Sequence, residues 1–235
     1  MVISSKRVQA PSYGLSAGDL AVGSSVYLMM NGSPVEYMVV NQGNPASAIY
    51  DASCDGTWLL MKDIYEERQW HSSNVNDYKN STIQSYLNST FLGLLDANIQ
   101  AVVKEVKIPY VNGTGGSPVD SGEGGLAAKI FLLSGYEIGW KNSENDNIPI
   151  DGAKLDYFTA GTTTSAASKR IAYLNGSAIL WWLRSPCASG NFFTWSVTGD
   201  GRWNLGGGAE SYGIRPALIL PYSAKFDKDT LVLKG

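Results

Sequence analysis

The sequence predicts a mixed α+β domain of short strands, two short helices and long ordered loops. Three observations carry that prediction. Glycine occurs 26 times in 235 residues while only 17% of residues are charged, a composition opposite to that of a helical bundle. Seven Trp and thirteen Tyr supply bulk for a core and for low-entropy contact surfaces. The apolar residues fall in short runs separated by Gly, Pro, Asn and Ser, which is the pattern of strands joined by turns.

Residues 1–18 are polar and turn-rich and read as an N-terminal arm. Residues 19–235 read as one domain, because no shift of composition divides them. Val26–Met30 and Val35–Val40 flank Asn31-Gly32-Ser33-Pro34, a hairpin in which Asn and Gly tolerate positive φ. Thr57–Met61 is a third strand. Asn80-Ser81 offers an N-cap to a helix whose Ile83, Tyr86, Leu87 and Phe91 share one face. A second short helix covers about 94–103, with Leu95, Ile99 and Val102 inward. Val106–Tyr110 is extended and 112–125 is a Gly-rich loop. Lys129–Ser134 is a buried strand or a helix start. Residues 139–169 are largely irregular around Leu155–Phe158. Strands resume at Ile179–Arg184, Thr194–Val197 and Ile214–Leu220.

The net charge is -3 with no Lys/Arg run, so nucleic acid is not an expected partner. No apolar stretch approaches the roughly 18 residues of a membrane span, so no membrane insertion is expected. The N-terminus lacks the apolar core of a secretory signal, which points to synthesis in a reducing cytoplasm. Cys54 and Cys187 lie far apart in sequence and leave their pairing open.

Catalytic signatures are few. His71 is the only histidine, which excludes a multi-histidine metal site. Trp70-His71-Ser72-Ser73 lacks a nucleophile elbow. Gly113–Gly116 and Gly122–Gly125 lack the Lys-Ser/Thr of a phosphate loop. The run Ser143–Asn147 lacks the alternation of a calcium hand. Glycosidase carboxylates come from separate strands, and no Asp or Glu here sits in a motif. The reading is therefore no catalytic residue, no metal and no cofactor.

One constellation stands out. Trp181-Trp182-Leu183-Arg184-Ser185-Pro186 and Gly213-Ile214-Arg215-Pro216-Ala217-Leu218 each place one Arg beside a Pro in an apolar strand. Such an Arg must find carbonyl or carboxylate partners. Trp181, Trp182, Arg184 and Arg215 thus read as framework, with catalysis by either Arg the sharper alternative. Between the blocks, Trp195 and Val197 alternate inward. Phe192, Phe193, Trp203, Leu205 and Tyr212 fit no inward pattern, and large apolar side chains in Gly-rich loops form either a second core layer or a contact patch. Mixed with Gly, Ser and Asn they look like a paratope. The expectation is a ligand face of Phe192, Phe193, Trp203, Leu205 and Tyr212 on the 187–213 loops, with Arg202, Asn204 and Glu210 on its rim.

With those blocks in hand, the sequence resembles a family of C-type-lectin-like domains of phage tail and bacterial surface proteins, marked by Trp-Leu-Arg-Ser-Pro and Gly-Val/Ile-Arg-Pro-Ala. Tyr78…Ser81–Asn88, Phe131–Glu137 and Arg170-Ile171-Ala172 extend the likeness over roughly residues 20–221. The fold is related to that of formylglycine-generating enzymes, but their active-site cysteine pair has no counterpart here, and the calcium-and-sugar tripeptides of lectins are absent. Some similar proteins are the variable proteins of diversity-generating retroelements. That likeness implies adenine-directed variation at positions such as Phe192, Phe193, Arg202, Asn204, Leu205, Gly206, Gly207, Ala209, Ser211 and Tyr212, with Trp195 and Glu210 in the framework. It implies a non-enzymatic receptor-binding domain in the virion, on the phage tail, or on the bacterial cell surface. The partner would be a bacterial surface protein or glycan, alongside other virion proteins, with homo-oligomerisation left open. A structural baseplate or decoration protein is the alternative, and a cell-wall carbohydrate-active enzyme is a third.

Overall fold

The computed structural model describes residues 14–114 and 116–234. Two small sheets carry the fold, and their strands are numbered in chain order. The first sheet pairs Ser25–Met30 (β1), Ser33–Gln42 (β2), Thr57–Met61 (β3) and the late strand Ala217–Leu220 (β9) in the order β9-β3-β2-β1, all antiparallel. The second contains Glu67–Gln69 (β4), Trp181–Pro186 (β5), Phe193–Val197 (β6), Trp203–Gly207 (β7) and Ser211–Gly213 (β8) in the order β7-β6-β5-β8-β4. Only the β5–β8 pair is parallel. The chain crosses between the sheets twice, from β3 to β4 and from β8 to β9. The class is α+β, with mostly antiparallel sheets and few helices.

The β1–β2 hairpin turns on two residues, Asn31 (φ 50) and Gly32 (φ 73). Positive φ at both central positions matches the right-handed twist of the flanking strands. Val26, Leu28 and Met30 are buried on alternate positions of β1, whereas every residue of the central β3 is buried. Ser81 caps the first helix, its Oγ accepting the amide of Gln84 at 3.1 Å. Thr82–Tyr86, Leu87–Phe91 and Leu92–Leu94 run on as one rod whose middle turn is π-helical, burying Ile83, Leu87 and Phe91. Ala97–Val102 is the next helix, with Ile99 buried.

Four expectations change. Lys129–Ser134 is neither a strand nor a helix, although Ile130–Ser134 is buried. Its backbone bonds to side chains instead: Asn88 Oδ1 accepts from Lys129 and Ile130, Tyr78 Oη from Leu132, and Glu137 Oε2 from Ser134. Phe131 bridges to Ala217 of β9, and the Leu133 carbonyl accepts the amide of Arg184 in β5. A third helical stretch, Thr164–Ser168, follows the cap Thr163 within the segment read as irregular. Within the 187–213 segment, beyond the expected strand at Thr194–Val197, Trp203–Gly207 and Ser211–Gly213 are also strands rather than loops. Of the expected arm, residues 1–13 lie outside the described residues. Leu15–Ser16 pairs with Lys225–Phe226 and Ala17 is buried, so residues 14–18 belong to the domain. Cys54 and Cys187 are both buried and free. Among the described residues no helix is long and apolar enough to cross a membrane.

Candidate functional site

The site rests on a buried scaffold. Arg184, in β5, forms a bidentate pair with Glu137, at 2.6 and 2.7 Å, and donates further to the carbonyls of Pro109, Leu132 and Asp151. All five guanidinium donors are thereby used. Burial works against the charge, but Glu137 outweighs it and holds the Arg184 pKa above its ordinary value. Glu137 also accepts from the Tyr50 hydroxyl and the Ser134 amide. Asp151 is fully buried beside this pair, with Oδ2 accepting from Ser185 and Oδ1 without a partner among the described residues. Burial pushes its carboxyl up to about 6 despite the pull of Arg184. Arg215 pins the chain where β3 leaves the first sheet, donating to the carbonyls of Met61 and Lys62 at 2.9 Å each. Its Nη1 has no partner among the described residues, and its guanidinium lies 5.2 Å from the centre of the Trp181 ring.

On that scaffold β6 and β7 form an edge hairpin, with Phe193 opposite Gly207, Trp195 opposite Leu205 and Val197 opposite Trp203. Side chains alternate along a strand, so Phe193, Trp195, Val197, Trp203 and Leu205 share one face while Ser196 and Asn204 share the other. Tyr212 belongs to the second face. Its ring stacks on Trp182 at 4.3 Å and 28°. The expected single face therefore does not form, because its residues sit on alternating strands rather than on loops.

The exposed aromatics instead occupy the two ends of the hairpin. Phe192 and Phe193, with rings 4.1 Å apart, lie at one end. Trp203 lies at the other, four residues along β6, a separation of roughly 13 Å. Leu205, between them, packs half-buried against the core. Asn204 bonds the Ser196 hydroxyl at 3.2 Å, and Glu210 accepts from the Tyr212 hydroxyl. Arg202 pairs with Asp200 at 3.3 Å on an exposed turn, where an ion pair contributes little.

Trp203 opens onto a cleft of about 650 Å³ lined by Trp140, Glu144, Thr162, Arg170 and Arg202. That volume lies within the range of small-molecule sites. Three indoles run in a row from the interior to its mouth, Trp140 to Trp195 at 6.2 Å and Trp195 to Trp203 at 5.7 Å. Arg170 is buried and donates from Nε to Ile138 and from Nη2 to Thr159 and Gly161. It makes no ion pair among the described residues. Burial lowers its pKa to about 10, so it stays a cation at neutral pH. Trp140, Glu144 and Thr162 carry no motif, and they come from the stretch read as irregular. Arg170, ahead of Ile171-Ala172, is the one cleft residue outside β6–β7 with a sequence signal.

A family model described as a domain of unknown function (DUF6273) matches residues 55–222. The chain belongs to the DUF6273 family. The DUF6273 match takes in β3 to β9 and every cleft residue, while the β1–β2 hairpin that completes the first sheet precedes it. No curated protein and no solved structure matches the chain. Within this DUF6273 chain, Glu137 and Asp151 are sealed in the scaffold, and no group of three His, Cys, Asp or Glu side chains among the described residues could hold a metal. What the surface offers is aromatic contact area beside a cationic, hydrogen-bonding cleft.

Proposed function

We propose that this chain is a binding domain of C-type-lectin-like fold that recognises a protein or glycan on a bacterial surface through the β6–β7 edge. The observation that carries the reading is the exposure of Phe192, Phe193 and Trp203, at 39%, 36% and 43%, on a hairpin anchored to a buried charged scaffold. Large aromatics held rigidly lose little freedom on binding, so a few of them can dominate affinity. The small antiparallel sheets and long ordered loops fit the C-type-lectin-like reading, and the paired Arg-Pro blocks support a place on a phage tail or a bacterial surface. The action proposed is binding without turnover.

The test is binding of labelled full-length chain to intact cells from a panel of bacteria. Saturable binding, competed by unlabelled protein and removed by surface protease or periodate, is expected for at least one strain. Absence of saturable binding across the panel, with capture of a virion protein instead, would assign the aromatics to virion assembly.

A further inference from the structure

The cleft at the end of the hairpin has a chemical bias of its own. Arg170 is 1% exposed, and its Nε and Nη2 are spent on three carbonyls, leaving Nη1 without a protein partner among the described residues. Among the described residues no carboxylate pairs with it directly, and Glu144 on the same wall acts on its charge without an ion pair. Trp140 Nε1, on a second residue of the cleft wall, is buried and likewise lacks an acceptor. Two donors of the wall, Arg170 Nη1 and Trp140 Nε1, thus have no acceptor among the described residues, and the first of them is charged. A buried guanidinium in that state gains most from an anionic acceptor, because the pair is weakly screened.

We infer that the cleft binds an acidic saccharide, with the carboxylate of a uronate-type sugar on Arg170 and its ring against the indole of Trp203. This deepens the proposed function and rests on its reading of the chain as a binding domain. The indole face is negative and flat, and it suits the C–H face of a pyranose. Thr162, Arg202 and Glu144 line the remainder of the cleft and offer partners to ring hydroxyls. A bare inorganic anion would leave the aromatic wall uncovered. Glu144 is the one carboxylate among these lining residues, and it opposes the ligand's charge while accepting its hydroxyls.

The experiment titrates the full-length chain with trigalacturonate, with the neutral trisaccharide cellotriose and with triglycine carrying a free C-terminus, following indole fluorescence and heat. Trigalacturonate binds at least tenfold tighter than either of the others, and raising salt weakens it. Trp203→Ala, at an exposed position, weakens binding at least tenfold with the fold intact. Glu144→Gln tightens trigalacturonate about threefold to tenfold and leaves cellotriose unchanged, a gain that a damaged fold could not produce. Arg170→Lys abolishes the preference for the acidic sugar if it folds, and the Glu144 and Trp203 variants decide the matter if it does not. Equal binding of acidic and neutral sugars, preference for triglycine, or no binding of trigalacturonate overturns the inference. If cells are still bound in that case, the cleft assignment alone fails. If cell binding is absent as well, the binding-domain reading fails with it.

Discussion

Arg184 and Glu137 meet as a doubly hydrogen-bonded pair with both side chains fully buried. Around them Tyr50, Ser134, Asp151 and Ser185 complete a polar knot that joins β5 to the irregular 130–155 segment. A buried pair of this kind holds its surroundings in one arrangement, because losing either partner leaves an uncompensated charge.

Arg184→Met should lower unfolding free energy by about 3–5 kcal/mol, as Glu137 is left buried without its cation. Arg215→Met should cost less, about 1–3 kcal/mol, because among the described residues Arg215 makes no ion pair and one of its nitrogens is already without a partner. Urea unfolding of both variants checks the order. Equal losses would contradict it.

Asp151 should make the fold less stable as pH rises. Its carboxyl titrates near 3.8 when unfolded and is pushed up to about 6 in the fold, by burial first. Between those values the folded chain holds the proton more tightly, so the contribution is full below about 3.8 and is lost as pH rises through 6. Asp151→Asn, measured against the parent by urea unfolding from pH 4 to 7, should be the more stable of the two at pH 7, with the gap closing toward pH 4. A gap that does not change with pH would contradict the assignment.

Gly206→Ala should destabilise by about 1–3 kcal/mol through overpacking. A Cβ there would stand 2.5 Å from Tyr212 and 2.7 Å from Trp182, inside their stack. Near-UV circular dichroism should report the disturbed indole. The resemblance to retroelement proteins implies variation at Gly206, yet the stack leaves no room for a larger residue.

Local signals were the legible part of this chain. The Asn31-Gly32 turn, the Ser81 cap and the alternation of β1 each act within a few residues, and each appears in the fold. An Arg in an apolar run demands partners, and Arg184 has both carbonyls and a carboxylate. The partners themselves were not legible, since Glu137 lies 47 positions away and nothing in the Phe131–Glu137 run ties it to Arg184. Gly-rich composition disguised β7, whose Gly206 and Gly207 are small because Trp182, Tyr212 and Asn74 crowd them. The same disguise merged two faces of a hairpin into one expected patch. The cleft was hidden because Trp140, Glu144, Thr162 and Arg170 meet only in the folded chain.

The most direct test of the binding reading compares Phe193→Ala, Trp203→Ala and the parent for affinity to a bacterial surface that the parent binds, with a thermal melt of each. Both side chains are exposed at opposite ends of one hairpin. The account predicts at least a tenfold loss of affinity for one or both variants, with melting temperatures within about 2 °C of the parent, as for substitutions at exposed positions. Unchanged affinity in both variants would contradict it.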